Sequence, residues 1–107
     1  MPTAQFDTRE AMRKSFPEYT RTAEQFVLSN IWNRPGLSQR ERSLITVATL
    51  VSNYRPTELR FHVARAMENG VTKAELEEVF LHLACYAGWP AAGSGIHAAM
   101  EVLENSP

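Results

Sequence analysis

The chain is poor in the residues that disulfide-stapled and metal-bound scaffolds need. Of its 107 residues one is a cysteine, Cys85. A single thiol excludes an internal disulfide framework, a CxxC redox pair and a cysteine-built zinc cage. Net charge is nearly absent: eleven basic residues against twelve acidic ones leave −1. That balance argues against a nucleic-acid binder that works by neutralising phosphates. Long apolar runs are missing as well. Leu44 to Val51, the longest nearly apolar stretch, contains two threonines and is far too short to cross a bilayer. Met1-Pro2-Thr3-Ala4-Gln5 holds no apolar stretch, so no secretory signal is expected. There is no tandem repeat, and Gly88, Gly93 and Gly95 have no strand before them to make a phosphate loop. The expectation is a soluble, reduced, cytoplasmic protein with no nucleic-acid or membrane partner. Its length predicts one domain over 1–107.

What is present is enough for a modest core. Hydrophobic residues make up 44% of the chain, and chains of this size often gain further burial by oligomerising. No segment alternates with period two between hairpin turns, so strands are not expected. The breaks fall at Asn33 to Gly36, Asn53 to Pro56, Asn69-Gly70 and Gly88 to Pro90. The pieces between them read as helices. Residues 17–32 place Phe26, Val27, Ile31 and Trp32 at helical spacing, beside a row of Tyr19, Ala23 and Phe26. Ser38 to Glu41 and Thr72 to Glu75 are capping boxes. The first opens a helix to about Ser52 that is apolar around most of its circumference, hence buried on several sides. Pro56 suits the first turn of the next helix, and Gly70 its left-handed end. Leu76, Val79, Phe80, Leu83 and Ala87 make a 3/4 stripe on the fifth segment. A last helix follows Pro90, with Ile96, Met100 and Leu103 on one face. Residues 1–16 are expected to fray or to hold a short helix around Thr8 to Ser15. The fold expected is all-α, a compact bundle of about five to six helices.

Two helices carry polar rows. On the fourth segment Glu58, His62, Arg65 and Asn69 follow steps of +4, +3 and +4, which line them along one face. A carboxylate one turn from an imidazole can orient it and raise its basicity, as a general acid/base requires. Ordinary surface pairing makes the same spacing. On the next helix Glu75, Glu78, His82 and Tyr86 form a similar row. His82 sits among apolar neighbours and is expected to be at least partly buried. If the two helices are antiparallel neighbours, their rows could face each other across a cleft. Arg34, Arg40, Arg42 and Arg55 could hold carboxylates bidentately. No metal is expected. His82-x2-Cys85 lacks a second pair of the usual kind, His97 stands alone, and there is no HExxH.

Three stretches together resemble a known family. They are Trp32-Asn33-Arg34-Pro35-Gly36-Leu37; Glu58-Leu59 with His62 and Asn69-Gly70-Val71; and Glu78 to His82 leading to Tyr86-Ala87-Gly88-Trp89-Pro90-Ala91-Ala92. In this order and spacing they resemble the carboxymuconolactone decarboxylase family, within the alkylhydroperoxidase D-like superfamily, over about residues 19–105. The resemblance implies an all-helical fold assembled as a homo-oligomer, a trimer or hexamer. It implies a cofactor-free reaction on a small anionic substrate: loss of CO₂ from a 4-carboxymuconolactone-like lactone, giving the enol lactone of the β-ketoadipate pathway of aromatic breakdown. By family position His62 is the acid/base and Glu58 orients it. His82 and Tyr86 are further donors, and Arg34, Arg42 or Arg55 would hold the substrate carboxylates. The sister branch carries CxxC-x3-His where this chain has Arg55, Glu58 and His62. Without either sulfur, thiol peroxidase chemistry is not expected. Gly93-Ser94-Gly95 is richer in glycine than the usual continuation after Pro-Ala-Ala. The alternatives are a paralogue acting on another small carboxylated ring or keto acid, and a non-catalytic helical oligomer.

Overall fold

Helices joined by short links make up the structure, a computed structural model that describes residues 8–104. Two units divide the chain at Gly36 and Leu37. In the first unit, α1 spans Thr8–Ser15 and α2 spans Pro17–Thr22. Pro17 opens α2, where a missing N–H costs nothing. The helix then continues without a break as a wide π-helical stretch, Ala23–Ile31. Five-residue spacing shows at its end, where the Trp32 N–H donates to the Val27 carbonyl at 3.0 Å. α1 folds back on this stretch through Arg13, which bridges Glu10 at 3.1 Å and Glu24 at 3.0 Å. The sequence pattern suggests a buried face between 17 and 32, but no residue of α2 or the π stretch is buried. Phe26 and Val27 are exposed, and Trp32 alone of the expected set is buried. The widened turn shifts side chains off the 3.6-residue rows that the pattern assumes.

The second unit holds α3 (Gln39–Ser52), α4 (Pro56–Glu68), α5 (Lys73–Tyr86) and α6 (Trp89–Glu104). Both capping boxes form. The Ser38 hydroxyl accepts from the Glu41 N–H at 3.0 Å and Thr72 from Glu75 at 3.1 Å, while each glutamate accepts from its cap's backbone N–H. α3 and α4 both end in the same six-residue hydrogen-bonded turn. At α4 the Val71 N–H donates to Ala66 and Gly70 to Met67, with Gly70 at φ +96°. At α3 the Arg55 N–H donates to Leu50 and Tyr54 to Val51. There the left-handed position is held by Tyr54 at φ +51°, a place that favours glycine.

α3 packs against α4, α5 and α6, as its broad apolar surface implies. α6 also packs on α4 and α5. The core is Val47 and Val51 of α3, Leu59, Val63 and Ala66 of α4, Val71, Leu76 and Phe80 toward α5, and Ala98 and Ala99 of α6. The face that α6 turns inward corrects the sequence expectation. Ala92, Gly95, Ala98 and Ala99 are buried, whereas Ile96 and Met100 are exposed. The reason is close approach. A Cβ added at Gly95 would lie 3.0 Å from Phe80 Cε1 and 3.2 Å from a Val51 methyl. Small residues let α6 reach a core already filled by Phe80.

One buried polar link ties α3 to α4. Asn69 at the C-cap of α4 donates from Nδ2 to Ser43 Oγ at 3.0 Å, and Ser43 is fully buried. We expect Asn69→Ala to cost about 1–3 kcal/mol, because it deprives a buried hydroxyl of its donor. Urea unfolding checks this. A change under about 0.5 kcal/mol, the range of a neutral surface substitution, would mean that the bond contributes nothing.

Candidate active site

Antiparallel packing of α3 on α4 sets the axis of the site. Ser43, near the start of α3, meets Asn69 at the end of α4. α4 carries Arg55 at its N-cap, then Glu58, His62, Arg65 and Asn69 in one row. His62 lies midway, seven residues from either end of that row. Seven helical residues span about 10 Å. Register therefore puts Arg55 and Glu58 on one side of His62, and Arg65 and Asn69 on the other, with Arg42 of α3 toward the Asn69 end.

His62 and Arg65 are half-buried, while Glu58 and Arg55 are exposed. The Phe61 ring stands edge-on to the imidazole, with centroids 4.9 Å apart and planes at 83°. Burial holds the His62 pKa below its ordinary 6.5, the Arg65 charge lowers it further, and Glu58 opposes both. A partly desolvated imidazole between an acid and a base favours its neutral form, which can donate from one nitrogen and accept at the other. The influence of Arg65 was missed from the sequence, although its place one turn beyond His62 was the signal.

The second row lies elsewhere. α4 and α5 each pack against α6, with α3 beside both. His82 is exposed, contrary to the burial expected of it, because α5 turns Leu76, Phe80 and Ala84 inward. Its ring lies against that of Tyr86 with centroids 4.9 Å apart, and Tyr86 is 79% exposed. Arg34 is exposed and belongs to the first unit. Arg42 is half-buried on α3. Arg40 ion-pairs with Glu75. Glu75 lies below its ordinary 4.5 because it accepts from the Thr72 backbone and then from Arg40. That pair forms one wall of an open groove of about 350 Å³ between α3 and α5, floored by Leu44, Ala74 and Val79. Among the described residues no group of three or more His, Cys, Asp or Glu could hold a metal ion. No described helix is long and apolar enough to cross a membrane.

The described residues form an all-helical protein with a half-buried histidine set in a charged helix row. The chain belongs to the carboxymuconolactone decarboxylase family, whose sequence profile matches residues 17–101. It is 44% identical over 81 residues to 4-carboxymuconolactone decarboxylase of Acinetobacter baylyi, covering 76% of this chain and 60% of that protein. It is 35% identical over 85 residues to nitrosuccinic acid decarboxylase of Metarhizium robertsii, covering 76% of this chain and 59% of that one. An uncharacterized 15.0 kDa protein of Paracoccus denitrificans is 29% identical over 99 residues, 91% of this chain and 73% of its own length. The chain thus spans about 60% of the length of the two decarboxylases.

Proposed function

We propose that this chain is a carboxy-lyase that removes CO₂ from a carboxylated unsaturated lactone of the 4-carboxymuconolactone type. The reading places it in the cytoplasm, in the breakdown of aromatic compounds, as a homo-oligomer. The observation that carries it is the 44% identity to a protein named for that reaction. The half-buried His62 between Glu58 and Arg65 supports it.

The chemistry asks little of the protein. When the C–C bond to the departing carboxylate breaks, its electron pair stays on the γ-carbon. The conjugated double bond passes that pair to the lactone carbonyl oxygen, and a proton must then reach the α-carbon. The substrate is its own electron sink. The site must stabilise the oxyanion and deliver the proton. In this reading the His62 N–H donates to the developing oxyanion and moves the proton, and Glu58 orients the ring. Arg55 and Arg42, on either side of His62, are the candidates within this unit for holding the carboxylates. His82 and Tyr86, both exposed on α5, are the candidates for further donors.

The relative named for nitrosuccinic acid favours a second reading. A carboxylate beside a nitro group can also leave its electron pair in a neighbouring acceptor. The shared requirement is an acid whose departing CO₂ sits next to an electron sink, so a paralogue acting on another such acid is the alternative. The purified chain should release CO₂ from 4-carboxymuconolactone, followed with the enol lactone product. Release from nitrosuccinate alone would select the second reading, and release from neither would end both.

A further inference from the structure

The seam between α3 and α4 carries its charges in a fixed order. α3 turns Ser43, Val47 and Val51 into the core. Arg40 and Leu44 of the same helix line the groove toward α5. Arg42 stands about 200° around the helix from Arg40 and about 160° from Leu44, so it borders the opposite seam, the one with α4. On α4 the core side is Leu59, Val63 and Ala66. The row of Glu58, His62, Arg65 and Asn69 lies on the flank toward α3, because Asn69 reaches Ser43 there. Antiparallel register then puts Arg42 and Arg65 about 8 Å apart along the helix axes, a gap that two arginine side chains can close. His62 comes next along the seam and Glu58 after it.

The cationic end is the drier one. Arg42, Arg65 and His62 are half-buried, whereas Glu58 is exposed. The Nε atoms of both arginines and Nδ1 of His62 are sealed from water. Two like charges held close and partly out of water repel, and an anion between them turns that repulsion into attraction. The planar fork of an arginine suits a carboxylate. Arg55, beyond Glu58, is exposed, so solvent weakens its pull.

Both acids of the functional reading carry two carboxylates, one that leaves and one that stays. In the lactone the bond to the first breaks and its electron pair passes to the carbonyl oxygen. One proton reaches the α-carbon, and CO₂ departs without charge. An arginine paired with the departing carboxylate would stabilise the ground state more than the transition state and slow the step. An arginine on the carboxylate that stays binds both states alike.

We propose that Arg65, together with Arg42, holds the carboxylate that remains on the product, which turns the departing carboxylate toward Glu58 and makes Arg65 the residue that selects diacids. This rests on decarboxylation as the function. At about pH 8, well above the ordinary pKa of histidine, Arg65→Gln should raise KM for 4-carboxymuconolactone by about 10–100-fold. Its kcat should change by less than about threefold. Arg65→Lys keeps the charge without the fork and should fall between the two. Calorimetry separates the two carboxylates. Muconolactone carries only the one that stays, and a butenolide with a γ-carboxylate and no side chain carries only the one that leaves. Arg65→Gln should weaken muconolactone as much as it raises KM and leave the affinity of the second acid unchanged. Its circular dichroism should match the wild type. Arg42→Gln should give the same pattern, and it serves as the test if Arg65→Gln does not fold. Equal losses for both monoacids, a fall in kcat at constant KM, or a wild type that does not bind muconolactone would each overturn the proposal. A wild type that releases no CO₂, yet binds muconolactone and loses it in Arg65→Gln, ends the decarboxylase reading and leaves the carboxylate subsite standing.

Discussion

Replacing His62 with glutamine or alanine is expected to lower kcat/KM for decarboxylation by about 10²–10⁴-fold, the usual contribution of a positioned acid/base group. The neutral imidazole is the working form in the proposed reaction, and burial with Arg65 keeps it neutral below the ordinary 6.5. The acid limb of the wild-type pH profile should therefore lie below 6.5. An acid limb above 6.5, or full activity in the alanine variant, would remove His62 from the role. Stability should follow the same proton. The folded pKa is lowered, so between it and 6.5 the unfolded chain binds more protons than the native state. Stability is complete above 6.5 and is lost as pH falls from 6.5 through the folded pKa. His62→Gln should accordingly lose less stability than wild type as the pH falls through and below 6.5. This readout separates a titrating buried group from one that only fills space.

Phe80→Ala should be the most destabilising of the substitutions considered, at about 3–5 kcal/mol. Phe80 is the largest of the fully buried side chains and lies under the closest approach of α6. Gly95→Ala alone should destabilise by about 1–2 kcal/mol. The gain in helix propensity is about 1 kcal/mol, and crowding against Phe80 and the stiff Val51 outweighs it. In the Phe80→Ala background the nearest obstacle is gone and only the Val51 methyls at 3.2 and 3.3 Å remain, so Gly95→Ala should destabilise less than it does in the wild type. The reduced penalty, read as a coupling energy in a double-mutant cycle by denaturant unfolding, tests the contact itself. Additive effects would show that something other than Phe80 excludes a side chain at position 95.

These two sites also show how far the sequence could be read. Helix starts and stops were legible because they are written locally. Ser38 with Glu41, Thr72 with Glu75, Pro56 and Gly70 each act within a few residues, and the structure forms them all. The polar row on α4 was legible too, since helical spacing alone puts Glu58 and His62 on one face. What failed depends on distant partners. The pattern turned Ile96 and Met100 inward, but which face of α6 is buried is decided by Phe80, fifteen residues earlier in the chain. His82 looked buried from its neighbours in sequence, yet α5 uses a different stripe for the core. The arrangement of α4 and α5 across α3 and α6 is likewise a property of the whole bundle. The π stretch left no sign in the apolar spacing of residues 17–32.

The position of α6 in chain order bears on how the protein is made. α6 is the last of the described helices, yet it packs on α3, α4 and α5 alike. During synthesis the first three helices of this unit leave the ribosome before the helix that closes over them. Until residues 89–104 emerge, Phe80 and Val51 lack their cover and remain exposed to other nascent chains and to chaperones. Completion of this bundle is thus set by translation of its final turns. Premature termination between α5 and α6 would leave a product with capped helices and an open core.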